Sequence, residues 1–132
     1  MIKGFDIDLY NCFVAFVWDS CEQELTSFFN KNPQIPKKYK DEMITIFRKR
    51  NCDAFTGPLS HSDVITIFMS DTSHKTVAHE IYHLCHLIMT KRGIKDEEAW
   101  AYLIGYITEK YYELKEEKNE IKEQTTDSYR EL

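Results

Sequence analysis

The residues that could do chemistry stand close together. Three of the five histidines, His79, His83 and His86, fall within eight residues. The first two frame the string His79-Glu80-Ile81-Tyr82-His83, an HExxH pattern. On a helix, positions four apart lie about 40° from one another on one face. Two imidazoles placed that way can reach one Zn²⁺ at about 2.0–2.1 Å. Glu80 sits about 100° further round. That keeps it off the metal and lets it serve as the general base for an attacking water. A chance HExxH with polar residues on an outer helix face is the alternative. The apolar pattern argues against it: Val77, Ile81, Leu84, Cys85 and Ile88 form a stripe opposite the two histidines.

The elements that must position this string follow from patterning. Residues 64–69, Val-Ile-Thr-Ile-Phe-Met, read as a strand of high β-propensity. Ser70 to Ser73 then supply a turn and a helix cap. A helix over about 74–90 follows, closed by Arg92-Gly93. Asp96 caps a last helix from about Glu97 to Glu117, beyond which the chain becomes wholly polar and is expected to fray. Upstream, residues 5–19 read as one strand rich in Phe, Val and Ile. Asp19 or Ser20 can cap a helix running to about Asn30, broken by Asn32-Pro33 through Pro36. Residues 37–50 suit either a short helix or a strand, and Thr56-Gly57-Pro58 reads as a turn. The strand at 64–69 is expected to be a sheet edge that pairs with an extended substrate.

The following helix is the place to look for a third ligand. Position 86 is His and position 89 is Met. That excludes the HExxHxxGxxH continuation of the metzincins. Gluzincins take a Glu from a later helix. Here Glu98, Tyr102 and Gly105 share one face, with Trp100, Leu103, Ile104 and Ile107 on the other. Gly105 would permit close approach to the HExxH helix. Glu98 is therefore the expected third ligand, with Glu97 and Glu109 as fallbacks. In a symmetric hairpin of the two helices the residue level with His83 is near Tyr102. Glu98 then lies about 6 Å too low, unless the link from Lys91 to Asp96 climbs back. Tyr102 is a candidate for stabilising the oxyanion. His86, His74 and His61 read as surface, capping or supporting residues, and Cys85 as packing.

The remaining composition bounds the class. The chain has 132 residues with 42% hydrophobic and 14% aromatic content, enough for one cored domain. Residues 1–117 are expected to form it, with 118–132 as a polar tail. The net charge is −5, which disfavours nucleic acid as a default partner. Seven basic residues in 31–50 read as a solvated face rather than a binding patch, since no aromatic platform interleaves them. The longest apolar run near the start, Cys12 to Trp18, is short for an export signal or a membrane span. A cytoplasmic protein with no membrane partner is expected. The four Cys lack CxxC spacing and read as buried thiols.

The strings Thr76-Val77-Ala78-His79-Glu80-Ile81-Tyr82-His83 and Glu98-Ala99-Trp100-Ala101-Tyr102-Leu103-Ile104-Gly105-Tyr106 together resemble small HExxH zinc peptidase-like proteins from phages and gut bacteria. These are minimal gluzincins, similar in outline to the ImmA/IrrE-like repressor-cleaving peptidases. The resemblance spans about residues 61–110. It implies an α+β fold, with a small mixed sheet packed on the HExxH helix and a second long helix after it. It implies zinc as cofactor, His79, His83 and Glu98 as ligands, and Glu80 as base. The substrate would be a protein or peptide. The alternative is a catalytically inactive interaction protein from a phage or mobile element that kept the scaffold.

Overall fold

A computed structural model describes residues 1–49, 54–57 and 63–130, with side chains through Glu116 except at Phe55. The fold is α+β. Its strands are β1 (Ile2–Ile7), β2 (Cys12–Trp18), β3 (Ala54–Gly57) and β4 (Val64–Met69). Its helices are α1 (Glu22–Asn30), α2 (Lys37–Lys49), α3 (His74–Lys91) and α4 (Glu97–Arg130). The four strands form one mixed sheet in the order β1-β2-β4-β3. β1 and β2 are antiparallel, β2 and β4 parallel, and β3 and β4 antiparallel.

Both faces of the sheet are covered, which is why β2 and β4 are apolar almost throughout. The two-residue alternation of a strand sorts their side chains. Val14, Phe16, Trp18, Ile65, Ile67 and Met69 join a core built with α3 and α4. Val17, Val64 and Phe68 point the other way and pack with Leu25, Phe29, Tyr39 and Met43 of α1 and α2. On that second face the Tyr39 hydroxyl pairs with Thr66 Oγ1 at 2.7 Å, so neither buried oxygen is left unpaired.

The first strand region differs from expectation. Residues 5–19 are the end of one strand, a turn and a second strand. A single 3₁₀ turn at Asp8–Tyr10 leads to Asn11, which takes a left-handed backbone (φ 48°) and reverses the chain. Asn tolerates that region better than most residues, and it was the overlooked signal. Arg92 secures the turn from across the molecule, donating to the Tyr10 carbonyl at 2.6 and 2.9 Å.

Two further boundaries shift. Residues 37–49 are helical, with Tyr39 and Met43 buried on one side. The α1 N-cap is Cys21, with no side-chain cap, while Ser20 turns back to the Trp18 carbonyl. Cys21 is exposed, against the expectation of a buried thiol; Cys12 and Cys85 are buried and free. Cys52 lies outside the described residues. No helix among those described is long and apolar enough to cross a membrane.

The helix pair meets expectation more closely. Ser73 caps α3 by accepting from the Thr76 amide, and Asp71 braces the cap through the Ser73 amide and the Thr76 hydroxyl. At the far end, Ile94 N–H donates to the Met89 carbonyl and Gly93 N–H to Thr90, with Gly93 at φ 66°. This is the Schellman closure that a glycine permits. Asp96 caps α4 by accepting from the Ala99 amide at 3.0 Å. α4 then continues as helix well past Glu117, to Arg130.

Candidate metal and hydrolytic site

α3 buries Val77, Ile81, Leu84, Cys85 and Ile88 against the sheet, the stripe expected from the sequence. That fixes its rotation. His79 and His83 consequently stand on the opposite, exposed face. Their Nε2 atoms lie 3.0 Å apart and their ring centroids 4.6 Å apart. Two nitrogens coordinating one tetrahedral zinc at about 2.0–2.1 Å would be about 3.3 Å apart. The imidazoles therefore already converge to within a few tenths of an ångström of a two-nitrogen half-site, and this much of the donor set fits the metal.

Glu80 takes a different direction. It is 6% exposed, the one buried charged side chain among the described residues. Its carboxylate Oε2 accepts a short hydrogen bond from the Thr56 hydroxyl of β3. The sheet register explains the meeting. Thr56 pairs with Ile67 of β4, and Ile67 faces α3, so Thr56 faces α3 too. Thr56 and Gly57 belong to β3 rather than to the turn expected at Thr56-Gly57-Pro58; Pro58 and His61 lie outside the described residues. β4 is not the sheet edge that was expected. It sits between β2 and β3, and the edge beside α3 is β3. The parallel partner β2, fifty residues upstream, covers the other side of β4.

The pairing of α3 with α4 can be read from two ring contacts. His86 meets Trp100 with centroids 5.9 Å apart, and His74 meets Tyr112 at 5.7 Å. The helices are thus antiparallel, and His83 is level with about residue 103. Glu98 is level with Ile88, roughly 7 Å along the axis from His83 at 1.5 Å per residue. Its side chain is exposed and lines a shallow groove formed wholly by α4 residues, with Tyr102, Gly105 and Glu109 among them. The link to α4 does not climb back. Gly105 has no heavy atom within 4 Å of where a Cβ would stand, so the expected close approach of α3 at that glycine is absent.

Tyr102 is 78% exposed and faces a groove shared with residues 6–10, in which no α3 residue takes part. Among the described residues, no group of three or more His, Cys, Asp or Glu gathers at metal-binding distance. The structure forms two pairs, His79 with His83 on the exposed face of α3 and Glu80 with Thr56 beneath it. It leaves Glu98, Glu109 and Tyr102 apart from them.

An aromatic row flanks the histidine pair toward α4. Tyr82 lies between His83 and His86, and His86 lies against Trp100. The Trp100 indole is itself fixed by donating to the Ile94 carbonyl at 2.9 Å. His74 is occupied with the Tyr112 hydroxyl. Cys85 is packing, as expected, and burial pushes its thiol up to about 12. Thr56 is the member of the site that sequence reading missed. Its partner is 24 residues away, and no local pattern marks such a pairing. Comparison with protein families, curated proteins and solved structures finds no match for this chain.

Proposed function

We propose that this chain is a zinc-dependent metallopeptidase acting on a protein or peptide, with His79 and His83 holding the metal and Glu80 as general base. The observation that carries the reading is the convergence of two exposed Nε2 atoms at 3.0 Å, one residue from a buried glutamate. Zinc, when bound, would polarise the scissile carbonyl and lower the pKa of water.

The rest falls to the chain itself. The α3 core stripe holds the two imidazoles on successive turns, so their geometry costs no rearrangement. Glu80 takes a proton from the attacking water and returns it to the leaving amine. Thr56 fixes one oxygen of that carboxylate and so its orientation. β3, as the sheet edge, offers backbone groups to an extended segment. Support for Glu98 as the third ligand comes from the family resemblance alone.

The test is cleavage of a quenched fluorescent casein by the zinc-loaded chain and by Glu80→Gln. Loss of a general base should lower the rate about 10²–10⁴-fold without loss of zinc. A zinc-loaded wild type that leaves casein and other unfolded substrates intact would overturn the peptidase reading.

A second reading has its own observation. No third donor stands with the histidine pair among the described residues, which favours an inactive scaffold of the same kind that acts by binding. In that case Glu80→Gln changes no function of the protein.

A further inference from the structure

Three of the four large hydrophobic side chains that stand exposed among the described residues gather in one place: Leu9 at 84%, Tyr102 at 78% and Tyr106 at 44% exposure. They border a groove of about 620 Å³ between the end of β1 with its following turn and the outer flank of α4. Its floor is Ile7 and Leu103, both 4% exposed. That volume is within the range of sites that take a small ligand or a few side chains. Beside it, Tyr102 and Tyr106 also border a second, shallow trough that runs along α4 from Glu98 to Glu109. Gly105 lowers that trough, since nothing occupies the space of a Cβ. The strip spans about 16 Å of helix, which suits an elongated occupant better than a compact one.

The charge around the strip has one sign. Asp6 and Asp8 stand on the β1 side, and Glu98 and Glu109 along α4. None of the four has an ion-pair partner among the described residues. The turn that presents Leu9 is also anchored: Arg92 donates to the Tyr10 carbonyl at 2.6 Å, and Asn11 closes the turn in the left-handed region. A leucine exposed at a fixed turn gains nothing for the fold, where any polar residue would serve. Contiguous apolar surface rimmed by uncompensated charge is the signature of an interaction site.

We propose that this strip docks a protein segment that is apolar on one side and carries lysine or arginine beside it. The Leu9, Tyr102 and Tyr106 side chains would cover its apolar residues, and the four carboxylates would receive its cations. The acidic rim repels anionic lipid surfaces, which sets a membrane aside. The groove contains no α3 residue, so this inference stands whether or not the histidine pair binds metal.

The experiment uses the full chain and a labelled 14-residue amphipathic peptide of leucine and lysine. A serine–lysine peptide of equal charge is the control. The leucine–lysine peptide should bind and shift the Leu9 methyl and Tyr106 ring resonances, while the control should not shift them. Leu9→Ser, at an exposed position, should keep the melting temperature and weaken binding about tenfold. Asp6→Asn with Asp8→Asn should flatten its salt dependence. Three results would each overturn the proposal. One is equal binding of the serine–lysine peptide, with shifts confined to the C-terminal part of α4. Another is an unchanged affinity in Leu9→Ser. The last is self-association of the wild type, in sedimentation equilibrium, that Leu9→Ser abolishes, since the occupant would then be a second copy.

Discussion

The hydroxyl of Thr56, on the edge strand β3, donates to the carboxylate of Glu80 on α3 and meets it inside the protein. A buried carboxylate without a donor carries the full cost of lost hydration. Removing the hydroxyl while keeping the shape should expose that cost. Thr56→Val is expected to lower unfolding stability by about 1–3 kcal/mol, and Thr56→Ser to restore most of it. Urea unfolding of the three proteins checks this. If Thr56→Val proves as stable as wild type, Glu80 does not depend on that bond.

A second prediction concerns the helix that carries the histidines. Ser73 caps α3 and Asp71 braces the cap. Ser73→Ala should cost about 1 kcal/mol. The Asp71 carboxyl is held below its ordinary value of 3.8, first by the Thr76 hydroxyl and then by the Ser73 amide. A depressed carboxyl stabilises the fold above its unfolded value and ceases to do so as pH falls through its folded one. Asp71→Asn should therefore be less stable than wild type at pH 7, and the gap should close below pH 3.8. A gap that is constant from pH 7 to pH 2 would contradict the assignment.

A third prediction concerns how α4 is anchored. Trp18 Nε1 donates to the Tyr111 hydroxyl at 3.3 Å, and the Tyr111 ring packs edge-on to Phe16 at 5.3 Å. Tyr111→Phe removes this hydrogen bond and should cost about 0.5–1.5 kcal/mol. Tyr111→Ala also opens a cavity and should cost about 3–5 kcal/mol. Chemical denaturation separates the two. Equal losses would show that the hydroxyl alone matters, and no loss in Tyr111→Phe that packing alone does.

These elements also show what a linear reading can and cannot reach. α3, its Ser73 cap and its Gly93 closure were legible because each signal lies within a few residues of its effect. The rotation of α3, and so the exposure of His79 and His83, followed from one apolar stripe. The hairpin of β1 and β2 was missed because one residue, Asn11, reverses the chain. α2 was ambiguous because its pattern suits two periods. The position of β4 inside the sheet depends on β2, some fifty residues upstream, and on β3, whose Thr56-Gly57 has the residue types of a turn. Thr56 with Glu80, and the level of Glu98 against α3, are products of register between distant segments.

The thiols give a fourth prediction. Burial pushes Cys12 up to about 11, against the lowering effect of Arg92, and pushes Cys85 up to about 12. Cys21 is exposed. Thiolate is the reactive form. In a Cys52→Ser background at pH 8, a disulfide reagent should modify Cys21 alone in the native protein and all three thiols after unfolding. Rapid native labelling at Cys12 or Cys85 would contradict the packing of the α3 core.

The claim on which the functional reading stands is that the convergence of His79 and His83 serves a metal. The most direct measurement is zinc per chain, by mass spectrometry, after dialysis of the folded protein against limiting zinc. The account predicts close to one zinc per chain in the wild type, with loss of that zinc in His79→Ala and His83→Ala variants that keep the wild-type circular dichroism spectrum. A folded wild type that emerges free of metal, or alanine variants that retain it, would contradict the account.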